Sequence, residues 1–191
     1  GNQTESLDAY ANDKFHPLSY QFTQTVGNAI KIVDVTFAGT NVTLNIANGQ
    51  TAQKTQSTIQ KGTFLSIFLV PLLMSQGVST DKRYQYSGVA EEDGKVYRGD
   101  AFVQKDMTTY KGQSVFKVLN VFKDTKFYFF LNSKGEYLGS NSPAQQISTE
   151  LVVDAAEATL GMPMNPAHLK KVFGEIPKGQ IHSLMPKGKG P

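Results

Sequence analysis

Asn41-Val42-Thr43-Leu44-Asn45-Ile46-Ala47-Asn48-Gly49 sets Val42, Leu44 and Ile46 on one side of an extended chain and Thr43 and Asn45 on the other, then closes on Asn-Gly. A side-chain period of two is the signature of a half-buried strand, and Asn-Gly supplies the positive-φ residues of a two-residue hairpin turn. The same grammar extends outward from Leu18 to Ile59. Upstream, Tyr20, Phe22 and Val26 share one parity and end at Gly27-Asn28. Ile30 and Ile32 then lie on one parity and Val33, Val35 and Phe37 on the other, which would invert the faces unless a β-bulge near Ile32-Val33 absorbs the switch. Ala38-Gly39-Thr40 makes the next turn. Thr51 to Ile59 is a polar, Thr/Gln-rich strand suited to an edge or a solvent face. The segment is a meander of antiparallel strands.

The next stretch breaks the pattern. Nine of the eleven residues from Phe64 to Met74 are apolar, Ser66 and Pro71 being the exceptions. Gly62-Thr63 is a start signal and Gly77 a stop signal for a helix over about 63–76. At 1.5 Å per residue the apolar run spans about 16 Å, roughly half a bilayer's hydrocarbon core, so it is too short to cross one. Apolar residues on every side predict a helix buried all round, kinked at Pro71.

Strands resume after Asp81. Arg83–Ala90 and Lys95–Lys105 form a long hairpin about Glu91-Glu92-Asp93-Gly94, with Tyr97, Ala101 and Val103 on one face. Gln113–Phe122 and Thr125–Asn132 follow, and in Phe127-Tyr128-Phe129-Phe130-Leu131 both parities are apolar, as a central strand requires. Ser133-Lys134-Gly135-Glu136 turns into Tyr137-Leu138, Gln146–Val152 closes the strands, and Val153–Leu160 is helix-like. Asn165-Pro166 opens a short helix through Phe173. The predicted fold is mainly β, a strongly curved antiparallel sheet or half-barrel of nine or ten strands around one buried hydrophobic helix. A closed lipocalin-type barrel is the alternative. Residues 1–191 are read as a single domain: an N-terminal segment 1–17, the sheet 18–152, and short helices with a basic tail over 153–191.

Composition excludes whole classes of chemistry. With no cysteine among 191 residues, no disulfide, thiolate metal site or cysteine nucleophile can be built. His16, His168 and His182 are too far apart in sequence for a zinc pair, no Gly-x-Ser-x-Gly elbow occurs, and Ser183 to Lys187 misses the Ser-x-x-Lys spacing. Gly188-Lys189-Gly190 is a terminal tail rather than a strand-to-helix phosphate loop. Glu91, Glu92 and Asp93 sit at a hairpin tip, where solvation accounts for them. No cofactor and no metal is expected.

The net charge of +3 is unevenly placed. From His168 onward there are five lysines (Lys170, Lys171, Lys178, Lys187, Lys189) and one acid, Glu175, leaving 14 bases and 15 acids in the other 167 residues. A body of net −1 gives little drive toward nucleic acid, so Tyr84, Tyr86, Tyr97 and Phe102 beside Lys82, Arg83, Lys95 and Arg98 are sheet core before they are a stacking platform, and nucleic acid is not an expected partner. The lysine tail suits an anionic membrane surface or an envelope protein, at about 1 kcal/mol for each lysine near such a surface.

Strand pairs around a buried helix, followed by a hairpin and closing strands, resemble bacterial lipoprotein carriers. Thr109-Tyr110-Lys111-Gly112-Gln113-Ser114-Val115-Phe116-Lys117-Val118 and Phe129-Phe130-Leu131-Asn132-Ser133-Lys134-Gly135-Glu136-Tyr137-Leu138 are similar to the closing strands of secreted bacterial envelope proteins of unknown function, over roughly Arg83 to Val152. The resemblance implies a half-barrel holding a lipid tail on its concave face, in a periplasmic or secreted protein whose signal peptide has been removed. The side chains expected to line that face are Phe64, Phe68, Leu72, Met74, Tyr84, Tyr86 and Phe129, with methionines as an adaptable lining. The expected function is therefore non-catalytic: binding a lipid, another hydrophobic ligand or a lipidated partner. A structural protein whose helix only fills the core is the alternative, and a hydrolase with an unrecognised site the third.

Overall fold

The computed structural model describes residues 3–134, 136–152, 155–161 and 170. Strands make up 62% of the described residues and helices 9%, which makes the protein mainly β, as the alternation predicts. Two sheets form, and no closed barrel is present among the described residues. The described residues divide into two compact units, one built on residues up to Phe68 with Ser87–Tyr97 and Lys170, the other on Leu69–Tyr86 with residues from Arg98 to 161.

The first unit carries a five-stranded antiparallel meander in sequence order: β1 (Gln3–Ala11), β2 (Pro17–Val26), β3 (Ala29–Ala38), β4 (Asn41–Asn48) and β5 (Thr51–Thr58). Two-residue turns at Gly27-Asn28, Gly39-Thr40 and Gly49-Gln50 join β2 to β5, each with its glycine at positive φ; the last lies one residue beyond the expected Asn48-Gly49. β1 lies in the segment that the sequence offered only as an N-terminal lead, because its inward residues, Leu7 and Ala9, are few and small. β5 is the polar edge strand expected, exposed at all eight positions.

The register corrects the expected bulge. β2 pairs with β3, and β3 with β4, without interruption, so no bulge sits at Ile32-Val33. Val33 and Val35 face the core, while Ile30 and Ile32 stand on the opposite face, Ile30 exposed and Ile32 half-buried beside Ala47 and Lys54. Two isoleucines on the outer face are a small cost, since singly exposed apolar side chains are normal.

The predicted helix over 63–76 is shorter and begins later. Phe64–Leu65 is a two-residue strand, β6, parallel to the end of β7 (Lys82–Ala90) through Phe64↔Gly88 and Leu65↔Val89. A single 3-10 turn, Ser66–Phe68, follows, and the α-helix α1 runs only from Leu69 to Ser75. Its burial is one-sided: Leu69, Leu73 and Met74 are buried, Val70, Pro71 and Leu72 are half-buried, and Ile67 just before it is exposed. Pro71 does not kink α1, because it occupies the first turn, where backbone N–H groups have no intrahelical partner. Gly77 stops the helix with φ of 78°, as expected. Thr63 does not cap it; its hydroxyl donates to Ser87 Oγ at 3.1 Å.

The core of this unit lies between the inner face of the meander and the β6–β7 pairing. Tyr20, Phe22, Val33, Val35 and Val42 meet Leu65 and Val89, and Phe68 packs against the same cluster. The turn after β7, Glu91–Gly94, is pinned on the same side. Lys31 Nζ donates to the Glu92 carbonyl at 2.8 Å, and Gly94, at φ of 71°, lies against the Leu44 side chain.

The second sheet runs in the order β13-β12-β11-β10-β8-β7-β6, with β8 (Lys95–Val103), β10 (Gln113–Phe122), β11 (Thr125–Asn132), β12 (Tyr137–Ser142) and β13 (Ile147–Glu150) following chain order. A short strand, β9 (Thr108–Tyr110), also pairs with β10. Ala101, Val103, Val115, Val118, Leu131 and Leu138 are its buried apolar residues in the second unit. β11 is central, as its double apolar pattern requires, with Phe127 to Phe130 half-buried on both faces. A five-residue helix, α2 (Ala155–Thr159), follows β13. The expected helix over 165–173 lies outside the described residues, as do all the tail lysines except Lys170, which is exposed.

Candidate functional site

Among the described residues, the apolar face of the meander outruns its cover. Tyr20, Val35 and Val42 are sealed beneath Leu65 and Val89, but the same inward parity continues to Leu18 on β2, Phe37 on β3 and Ile59 after β5. There a cleft of about 350 Å³ opens, lined by Pro17, Leu18, Phe37, Thr40, Ile59 and Thr63 among others. Leu18 is 50% exposed, a large apolar side chain at the mouth of an apolar cleft. His16 and Lys61 bring the basic groups to its rim, with Asn12 and Gln60 beside them.

Each wall is built locally. The β1–β2 loop is organised by Asn12, whose Oδ1 accepts from the Lys14 N–H at 2.9 Å and the His16 N–H at 3.0 Å, while its carbonyl accepts from the Phe15 N–H at 2.9 Å. An Asx-type turn of this kind tolerates a left-handed residue, and Phe15 takes φ of 59°. Phe15 then packs its ring 6.0 Å from that of Phe68, so the loop presenting His16 is buttressed from the 3-10 turn. The opposite wall is tied by the Ile59 N–H to the Thr40 carbonyl at 2.9 Å and by the Thr63 N–H to the Gln60 carbonyl at 3.1 Å.

Next to the core, the unit buries one acid. Glu91 is 6% exposed, and its carboxylate accepts the Ser66 hydroxyl at 2.7 Å and the Ile67 N–H at 3.0 Å. Burial pushes this carboxyl above the usual carboxylate range, and the two donors pull it part of the way back. Tyr20, fully buried, has its phenol pushed far above the usual range, first by burial and then by the charges of Glu91, Asp93 and Glu92. Its hydroxyl has no hydrogen-bond partner among the described residues. Both carboxylate oxygens of Glu91 are engaged in holding the start of the 3-10 turn.

The residues the sequence offered as a ligand-lining set divide between the two units. Phe64 and Phe68 lie in the first unit, Phe64 buried and Phe68 against the core. Leu72, Met74, Tyr84, Tyr86 and Phe129 lie in the second unit, each with its own packing role. Met74 is buried and Leu72 half-buried on α1. Tyr86 lies over Gly99, stacks on Phe122 at 5.9 Å and donates to Asn120 Oδ1 at 2.7 Å. Phe129 lies between the rings of Phe127 and Tyr137. Tyr84 has a buried hydroxyl without a partner and a ring beneath Lys82 Nζ at 5.1 Å. Arg83, one of the cations considered for nucleic acid, is engaged with Asp100 through paired contacts of 2.8 Å. Sequence reasoning missed the cleft. Its signal was present in Leu18, Phe37 and Ile59, but parity marks a face without marking where the cover ends.

Among the described residues no group of three or more His, Asp or Glu side chains converges to hold a metal ion, and no helix is long and apolar enough to cross a membrane. Compared with protein-family models, curated proteins and solved structures, the chain matches none of them.

Proposed function

We propose that this protein is a non-catalytic binding module of the bacterial cell envelope that holds one amphiphilic ligand, its alkyl part on Leu18, Phe37 and Ile59 and its anionic end toward Lys61 and His16. The observation that carries the reading is the 350 Å³ cleft itself, an uncovered continuation of a core face with a basic rim. That volume lies at the lower end of the range for small-ligand pockets, about 300–1,000 Å³, and an apolar floor with a few polar groups is their usual composition. A lipid tail or acyl chain is the hydrophobic ligand class that fits, as on the concave face of the lipoprotein carriers the sequence resembles. The relation to those carriers and the secreted location belong to this proposal, and so does a membrane-facing role for the lysine tail.

The test is a titration of ¹⁵N-labelled protein with decanoate and with a neutral decyl glycoside, each below its micellar concentration. The reading expects shifts confined to residues 16–18, 37 and 59–63. Leu18→Asp, at an exposed position, should abolish them with folding unchanged. Lys61→Glu should weaken decanoate binding severalfold and leave the glycoside unaffected. An unchanged spectrum with both amphiphiles would leave the face as plain core and support the structural reading instead.

A further inference from the structure

Among the described residues the meander has two unpaired edges, and they are finished differently. β1 carries two acids, Glu5 and Asp8, and its pairing with β2 slips at Tyr10/Ala11, a charged and irregular edge of the kind that discourages a further strand. β5, Thr51-Ala52-Gln53-Lys54-Thr55-Gln56-Ser57-Thr58, carries a single charge and no slip. It is eight residues long, exposed throughout, paired with β4 without a register shift, free of proline and charged only at Lys54.

The hydrogen-bond phase of that edge can be worked out. Ile59 N–H donates to the Thr40 carbonyl, and the β4–β5 register continues this pairing as Ser57↔Val42, Thr55↔Leu44 and Gln53↔Ile46. Odd-numbered residues of β5 therefore bond inward to β4, and Ala52, Lys54, Gln56 and Thr58 turn their N–H and C=O groups outward. Residues opposite each other in an antiparallel pair must share this phase and share a face. A two-fold pairing of β5 with itself is thus limited to registers in which even residues meet even and odd meet odd. Centring on Lys54 would oppose two ammonium groups. Centring on Thr55 sets Thr55 against its own copy, Lys54 against Gln56, Gln53 against Ser57 and Ala52 against Thr58, with no charge facing its like.

We infer that β5 is a homodimerisation edge, pairing antiparallel with β5 of a second copy about a two-fold axis at Thr55 to join two five-stranded sheets into one. Four outward residues on each strand make about eight backbone hydrogen bonds in this register. The side chains are hydroxyls, amides and one lysine. They offer nothing to select a particular foreign peptide, but they accommodate their own copy. An isologous contact closes at two, so the assembly is a dimer rather than a fibre. An interface of one strand pair is small, and micromolar rather than nanomolar association follows.

The absence of cysteine supplies the test. In the inferred register Thr55 is a non-hydrogen-bonded pair with its own copy, with Cα atoms about 4.5 Å apart, inside the range a disulfide spans. Under mild oxidation, full-length Thr55→Cys should form a covalent dimer roughly tenfold or more faster than Thr36→Cys, an exposed site on the central strand β3. In sedimentation the unmodified chain should show a monomer–dimer equilibrium, and Gln56→Pro, which deletes one outward N–H without touching the β4 ladder, should shift it to monomer. A monomer at every concentration, equal cross-linking of the two cysteine variants, or an open ladder of higher species would each overturn the inference.

Discussion

Glu91 is the residue whose environment has the clearest physical cost. A carboxyl raised by burial binds its proton more tightly in the native state than in the unfolded chain, whose ordinary value is 4.5. Native stability therefore falls as pH climbs from that value through the raised one, the reverse of a salt-bridged acid. Glu91→Gln retains an acceptor for the Ile67 N–H and a polar partner for Ser66 while removing the buried charge. Thermal melts from pH 4 to 8 should show wild type losing stability relative to Glu91→Gln across that window, with the variant equal or more stable at neutral pH. Glu91→Leu removes the acceptor as well and should cost about 1–3 kcal/mol at every pH, since it strands the Ile67 N–H and the Ser66 hydroxyl.

At the scale of the elements, the hairpin of β7 and β8 depends on a residue with no side chain. A Cβ at Gly99 would fall 2.1 Å from the Tyr86 ring, well inside contact, and that ring is held by Asn120 and Phe122. Gly99→Ala must displace Tyr86 and break its 2.7 Å hydrogen bond, so we expect a loss of about 1–3 kcal/mol in denaturant unfolding. The strands themselves were legible from period and turn alone: Gln113–Phe122 and Thr125–Asn132 form as read, and Asp93-Gly94 turns where its residue types demand. What escaped was set by tertiary partners. The 64–76 stretch is apolar enough for one long helix, yet Leu65 is worth more as a strand beside Val89, and the Glu91 carboxylate, twenty-five residues on, fixes where the helical turns begin. Ile30 and Ile32 suggested a bulge on the premise that every isoleucine faces inward. Of the candidate site, the sequence gives away the apolar face but not its uncovered end.

On the scale of the whole molecule, most pairings join strands adjacent in sequence, and local pairing of this kind favours rapid closure. The β6–β7 pairing also joins consecutive strands, but it is parallel and closed by no short turn, and it waits for Gly88 and Val89 to meet Phe64 and Leu65. A truncation such as Val33→Ala, in the middle of the meander, should cost about 2 kcal/mol and act mainly by slowing folding. Glu91→Leu should act mainly by speeding unfolding. Stopped-flow chevrons of the two variants check this, and equal partition of both effects between the limbs would contradict it.

The clamp that Glu91 places on Ser66 and Ile67 also sets a timetable for synthesis. The five strands of the meander are complete once Thr58 has been made, yet the leucine and valine that seal them come with later residues, and the carboxylate that holds the seal comes about thirty residues after Thr58. Throughout that interval the inner apolar face stands open, and the cleft at Leu18 is the part of it that the described residues leave uncovered. Under the proposed function, a ligand for the cleft of the folded protein is also a ligand for the nascent one. Such an amphiphile would then shield the growing sheet from collapse onto its neighbours.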